Sequence, residues 1–191
     1  MNKETALQKL IDGNKRYTAD KSATRDISQS RRTDLADNGQ HPFALIVGCS
    51  DSRVPPELIF DCGLGELFVV RTAGNVVDEF CMGSIEYGAE HLHLPVIVVL
   101  GHEGCGAVQA TVNGGEVHGC LGKIMEHIGE AHKAVDGAEN VYTACEDENV
   151  RRTVRQIEEN PVIKELLGKG ETCVIGAKYG LRGGAVSFFD M

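Results

Sequence analysis

The chain has 191 residues, of which 42% are hydrophobic and 25% are charged, a composition typical of one compact globular domain over residues 1–191. Its formal net charge of −9 argues against partners such as nucleic acid or an anionic membrane, since both require a basic surface. The longest apolar runs are far shorter than the ~20 residues of a membrane helix. Residues 1–4 do not resemble a signal peptide, so we expect a cytoplasmic protein.

The first 40 residues are predicted to form a helical arm that precedes a core of about 41–191. A capping-box pattern at Thr5–Gln8, followed by apolar residues at helical spacing, predicts a helix over about 5–18. A second helix is predicted over about 26–37, with Gly39 as its stop.

From residue 43 onward, short apolar runs alternate with helical patterns. Buried strands are predicted over 43–47, 67–71, 96–101 and 173–177. Helices are predicted from Pro55 and over about 79–93, 104–113, 120–135, 140–160 and 162–168. A turn at 182–184 would return 185–189 as an antiparallel edge. We therefore predict an α/β fold, in which helices flank a sheet of four parallel strands and an antiparallel fifth strand.

The seven cysteines form an odd and scattered set. In a chain expected to stay in a reducing compartment, a disulfide framework is improbable. Each cysteine is then either a small buried apolar group or a metal ligand. Only Cys49 and Cys105 have neighbours of the kind that bind metals.

Potential zinc ligands occur in two pairs, Cys49-x-Asp51 and His102-x-x-Cys105. The first pair shares a face if its backbone is extended, and the second shares a face over one helical turn. Both pairs follow predicted parallel strands, and ligand sites of open α/β sheets form at that edge. Taken singly, a cysteine at such a position is more often a core residue, and His102 could simply cap the turn. Together the four suit a tetrahedral zinc ion.

Asp51 has two alternative partners in this pattern. If it binds the metal, four protein ligands close the coordination shell and leave no position for water. Arg53 could instead bind the Asp51 carboxylate through two hydrogen bonds and leave the metal open. The alternative for Arg53 is an exposed ion pair of little energetic value.

Four ordered motifs resemble those of the β-class carbonic anhydrases. They are Cys49–Glu57, Arg71–Asn75, Ser84–Tyr87 and Gly101–Gly106. The likeness extends from the N-terminal segment Leu10–Arg16 to the final hairpin, and so covers essentially the whole chain. The resemblance implies the fold predicted above.

The resemblance also implies a reaction and a cofactor. One Zn²⁺ per chain would be bound by Cys49, His102 and Cys105, and zinc-bound hydroxide would attack carbon dioxide to give bicarbonate and a proton. Asp51, paired with Arg53, would either orient the metal-bound water or displace it as a fourth ligand.

The substrate-binding residues are likewise implied by the family. Gln40 would hydrogen-bond the substrate, and Gly106 would supply a backbone donor beside the metal. Phe68, Ala73 and Tyr87 would line a small apolar pocket. The family forms tight dimers with active sites at the dimer interface, often doubled to tetramers, and the sequence does not distinguish a homodimer from a homotetramer.

Some members have a regulatory bicarbonate site made of Trp, Arg and Tyr. Arg71 and Tyr179 match two of these residues, but Ile46 occupies the Trp position, and the chain has no Trp. We therefore expect Asp51 to lie on Arg53 at neutral pH. His91 and His93 are candidate proton shuttles or simply surface residues.

Two other functions remain open from the sequence. Hydrolysis of carbonyl sulfide or carbon disulfide could use the same scaffold, because those substrates are also linear and apolar. The alternative outside the enzymes is a non-catalytic zinc-binding protein whose four-ligand site is permanently closed.

Overall fold

A computed structural model describes residues 1–23 and 25–189. The helices are α1 (Lys3–Thr18), α2 (Gln29–Asn38), α3 (Pro56–Ile59), α4 (Glu79–Glu86), α5 (Gly106–Asn113), α6 (Leu121–Ala134), α7 (Val141–Glu159) and α8 (Pro161–Lys169). The strands are β1 (Ala44–Cys49), β2 (Leu67–Thr72), β3 (Ile97–His102), β4 (Val174–Tyr179) and β5 (Val186–Phe188). A short 3₁₀ turn covers Ala73–Asn75, and a π-helical turn covers Tyr87–His91.

The five strands form one sheet in the order β2-β1-β3-β4-β5. The first four are mutually parallel, and β5 pairs with β4 antiparallel, which confirms the predicted fold. Every residue of β1 and β3 is buried, as expected for central strands covered on both faces. Because β1 and β3 are neighbours, their carboxyl ends, Cys49 and His102, lie side by side at one edge of the sheet.

Alternate residues of the central strands face two separate hydrophobic layers. On one face, Ile46, Val98 and Leu100 pack with Ala6 and Leu10 of α1. On the other face, the strands pack beneath α4, α7 and α8, with the buried residues Leu45, Val47, Val99, Ile85, Ile157 and Ile163. The sheet edge that carries the candidate ligands is thus supported from both sides.

Two predicted helices differ from the observed ones. The helix predicted over 79–93 is α-helical only to Glu86 and then widens into the π turn. At Gly88 in this turn, a Cβ would lie 2.6 Å from Leu45 Cδ1, so any other residue would have to displace the Leu45 side chain from its packing on this turn. α2 begins at Gln29 rather than near 26, because Asp26 accepts hydrogen bonds from Ser28 in a local turn that competes with helix.

The division into an arm of about 1–40 and a core of about 41–191 within one domain stays a prediction. Across residues 1–23 and 25–189, none of the helices combines the length and apolar composition that crossing a membrane would require.

Asp61 connects the N-terminal segment to the core. Its fully buried side chain lies 2.6 Å from Arg16 Nε and 3.3 Å from Arg25 Nη2, and it accepts the Ala23 N–H at 3.0 Å. Burial alone would raise the pKa of Asp61, but the Ala23 hydrogen bond and the two arginines outweigh burial and lower it.

Asp61→Asn is therefore expected to lower the free energy of unfolding at pH 7 by about 1–3 kcal/mol, because it leaves charged donors poorly paired. A group whose pKa is depressed by folding stabilises above its unfolded pKa and loses that contribution as pH falls through the folded pKa. The difference from wild type should thus shrink below pH ~4. Urea unfolding measures this difference, and Asp12→Asn is the control, since the Asp12 side chain is half exposed on the solvent side of α1. Equal losses for both variants would contradict the expectation.

Candidate metal centre

Three ligand-type side chains converge at the carboxyl edge of the central strands. The ligand atoms of Cys49, His102 and Cys105 all lie within 4.8 Å of one another, and all three residues are buried. Cys49 ends β1, His102 ends β3, and Cys105 precedes the first turn of α5. The predicted one-turn helical geometry of His102-x-x-Cys105 is wrong: His102 is in a strand, and Gly104, with φ +65°, turns the chain between the two ligands.

The hydrogen bonding of His102 leaves one ring nitrogen free for a metal. Nδ1 lies 3.0 Å from the Glu103 carbonyl oxygen, to which it can only donate. That bond fixes the tautomer and directs the lone pair of Nε2 toward the cysteines. Nε2 is buried, and no hydrogen-bond partner for it occurs among the residues that the structure describes. Two sulfurs and an unpartnered imidazole nitrogen fit a zinc ion.

The two thiols are electrostatically coupled. The hydrogen-bonding influence of Cys105 on Cys49 outweighs burial and lowers the pKa of Cys49. The Cys49 thiolate in turn raises the pKa of Cys105, and burial adds to the rise. Burial lowers the pKa of His102, but the neighbouring Cys49 sulfur and its charge outweigh burial and raise it. A cation at this position would relieve the mutual repulsion of two thiolates.

Asp51 lies beside the three ligands but is bound by Arg53. Arg53 Nε donates to Asp51 Oδ1 at 2.9 Å, Nη2 donates to Oδ2 at 2.7 Å, and the Arg53 N–H donates to Oδ1 at 2.9 Å. These bonds hold the pKa of Asp51 well below its usual range, with the guanidinium as the largest cause. Asp51 Oδ2 remains 3.9 Å from His102 Nε2. The structure thus has the arrangement in which the carboxylate is on arginine.

Sequence reasoning missed several groups that shape this site. The Gly74 N–H donates to Cys49 Sγ at 3.3 Å, and Arg71 donates to the carbonyls of Cys49 and Asp51 at 2.7 and 2.6 Å. Gly74 has φ +69°, and a Cβ there would lie 2.7 Å from Ile128 Cδ1. Gly74, in the turn that follows β2, could have been noticed as part of the motif Arg71–Asn75, whereas the backbone contacts of Arg71 have no sequence pattern.

The residues expected to bind substrate divide into two groups. Ala73, directly after β2, and Gly106, the first residue of α5, lie at the same sheet edge as the ligands. Gln40 precedes β1, so the length of that strand, roughly 16 Å, separates it from Cys49. Phe68 is paired with Leu45, at the opposite end of β1 from Cys49.

Tyr87 belongs with the distant group, because its ring lies 6.0 Å from that of Phe68. It is 47% exposed, and its other aromatic neighbour is His91, at 5.4 Å. His91 and His93, the candidate proton shuttles, are both exposed on this side of the molecule. These residues therefore do not line the metal centre of their own chain.

Comparison with known proteins agrees with this geometry. The family model described as "Carbonic anhydrase" matches residues 44–186. A carbonic anhydrase of Mycolicibacterium smegmatis is 40% identical over 97% of this chain and 92% of its own length. Carbonic anhydrase 2 of Mycobacterium tuberculosis is 38% identical over 99% and 94%.

Solved structures have the same fold. A Coccomyxa β-carbonic anhydrase in complex with acetazolamide has a TM-score of 0.77 and 27% identity, covering 96% of this chain and 86% of that one. A tetrameric β-carbonic anhydrase of Sordaria macrospora has a TM-score of 0.77 at 23% identity, covering 98% of both chains. With the matched residues spanning β1 to the start of β5 and both sequence relatives matched over nearly their whole length, this chain belongs to the β-carbonic anhydrases, a family of enzymes.

Proposed function

We propose that this protein catalyses the zinc-dependent, reversible hydration of carbon dioxide to bicarbonate and a proton. The observation that carries the proposal is the buried group Cys49, His102 and Cys105, beside which Arg53 holds Asp51 away from the ligand atoms. Three protein ligands with a fourth position open are typical of catalytic rather than structural zinc.

Cys49, His102 and Cys105 would hold the ion. Bound zinc acts as a Lewis acid that lowers the pKa of a water from 15.7 to about 7. Asp51 provides an ionised acceptor at the open side of the site, where it can take a hydrogen bond from the attacking oxygen and orient it. Arg53 keeps that carboxylate charged and in place through its two parallel hydrogen bonds.

Stopped-flow hydration of carbon dioxide, with zinc content measured on the same sample, tests this function. We expect about one zinc per chain and a rate well above buffer at pH ~8.5. Zinc-loaded protein without that rate would contradict the proposal and favour a non-catalytic site. Faster turnover of carbonyl sulfide or carbon disulfide would show a hydrolase instead.

We also propose a homo-oligomer in which one chain completes the site of another. Gln40, Phe68 and Tyr87 are too far from the metal centre of their own chain, so they could serve a site only on a neighbouring copy. Phe80 of α4 is 87% exposed, which supports a protein interface near Tyr87. The tetrameric relative from Sordaria macrospora is consistent with a dimer or a pair of dimers.

A mixed dimer tests the shared site. A chain with Cys49→Ser has no complete metal centre, and a chain with Gln40→Ala lacks the proposed substrate donor. When both are co-expressed and purified through two different tags, the mixed dimer should contain one intact site and regain about half of the wild-type activity. The separate homodimers should stay far below this value, and a mixed dimer no more active than either homodimer would contradict the shared site.

The expected cytoplasmic location stays a prediction, which cell fractionation tests.

A further inference from the structure

A buried carboxylate lies behind the turn that carries Cys105. Glu146, on α7, is 5% exposed, and its Oε1 accepts the N–H of Gly104 at 2.8 Å and the N–H of Cys105 at 3.3 Å. Neither contact follows from the zinc-binding motif, because Glu146 is 41 residues beyond Cys105 in the sequence. A buried carboxylate that accepts two backbone hydrogen bonds fixes the orientation of those peptides.

Lys178 supplies the opposite charge that burial of Glu146 requires. Lys178 Nζ lies 2.8 Å from Glu146 Oε2 and 2.8 Å from Asp147 Oδ1. Lys178 is on β4, where it pairs with Gly101 of β3, the residue directly before His102. The carboxylate is therefore anchored to the same sheet that positions His102.

The peptide between Gly104 and Cys105 is held from two sides. Its N–H donates to Glu146, and its carbonyl, that of Gly104, accepts a hydrogen bond from Arg53 Nη2 at 3.3 Å. The same Nη2 donates to Asp51 Oδ2. One peptide plane thus connects the ion pair on α7 and β4 to a metal ligand and to the arginine that holds Asp51.

We propose that Glu146, anchored by Lys178, is a positioning residue for the metal centre, acting through the Gly104–Cys105 peptide on both Cys105 and Arg53. This inference rests on the proposed function, because it assigns Glu146 a role toward the zinc ion. Partners behind the metal ligands typically alter metal affinity or activity 10- to 100-fold when they are removed.

The test compares Glu146→Met, which removes both acceptor oxygens, with Glu146→Gln, which keeps one. Glu148→Gln is the matched control, since Glu148 is on the same helix but pairs with Arg155 at the surface. The dissociation constant of zinc is measured by competition with a chelator on folded protein. The absorption of the Co²⁺-substituted proteins reports separately on the geometry of the thiolate ligands.

We expect Glu146→Met to weaken zinc binding roughly 10- to 100-fold and to shift the cobalt spectrum. Glu146→Gln should weaken zinc binding about threefold or more, so that its dissociation constant lies between those of Glu146→Met and wild type. Glu148→Gln should bind zinc as tightly as wild type. If Glu146→Met does not fold, Glu146→Gln decides the result. Zinc affinity and cobalt spectra that equal wild type in every folded Glu146 variant would overturn the inference, whereas a wild-type protein that binds no zinc would overturn the proposed function itself.

Discussion

Replacing Cys49 with serine is expected to remove bound zinc and to lower kcat/KM for carbon dioxide hydration by at least ~10³-fold. The neighbouring Cys105 lowers the pKa of the Cys49 thiol, which favours the thiolate that binds metals, whereas a serine hydroxyl stays protonated. Loss of the metal removes several kcal/mol of stabilisation from the transition state, and each 1.36 kcal/mol corresponds to a factor of ten in rate. Metal analysis and stopped-flow assays measure the two effects independently.

Cys62→Ser is the matched control for this experiment. Burial raises the pKa of Cys62 to about 12, so this thiol is neutral, and it donates to the Phe60 carbonyl at 3.3 Å. Serine can keep that hydrogen bond, so we expect zinc content and activity near wild type. Equal losses in the two variants would show that Cys49 has no particular role in binding the metal.

Replacing Arg53 with alanine is expected to keep zinc bound but to lower kcat/KM roughly 10- to 100-fold. Without the two side-chain donors of Arg53, the Asp51 carboxylate is free to leave its observed position and approach the metal ligands. In the structure, Asp51 Oδ2 already lies only 3.9 Å from His102 Nε2. Arg53→Lys should be nearly as impaired, since lysine keeps the charge but cannot bind the carboxylate through a rigid fork. Stopped-flow rates on samples of equal zinc content measure the effect.

The pH dependence and a double mutant distinguish this role from a general charge effect. The Arg53 hydrogen bonds depress the pKa of Asp51, and without them it should return toward ~3.9, so Asp51 is ionised above pH 6 in both proteins. Protonation of Asp51 should therefore contribute nothing to the pH dependence of the Arg53→Ala defect between pH 7 and 9. Asp51→Ala combined with Arg53→Ala should be no slower than Asp51→Ala alone. Arg155→Ala is the surface control, and additive losses in the double mutant would contradict the model.

Sequence patterns were sufficient for the sheet because its central strands are continuous apolar runs. The runs around Ile46 and Val98 end at Cys49 and His102, and parallel pairing then brings these ends together without any information about the 52 residues, 50–101, between them. The pairing of Asp51 with Arg53 was also among the predicted alternatives, since only Ser52 separates them in sequence.

Other features depend on tertiary packing that leaves no periodic pattern. The π turn at Tyr87–His91 places Gly88 against Leu45, a residue of another element, and no periodic pattern of the sequence encodes that contact. Glu146 has the spacing of an ordinary helix residue, and only the approach of α7 to the Gly104 turn gives it two backbone donors. To infer that Gln40 is distant from Cys49, the length and direction of β1 must be known, and motif matching alone does not provide them.

The unequal attachment of the three ligands has a kinetic consequence. Cys49 and His102 belong to the two fully buried central strands, segments that typically open only with global unfolding. Cys105 instead lies in the turn before α5, where Glu146 and Arg53 rather than a strand ladder hold its peptide, so a smaller local opening suffices. We therefore expect zinc to escape through transient detachment of Cys105. The rate of this release should hardly depend on denaturant at concentrations well below the unfolding midpoint.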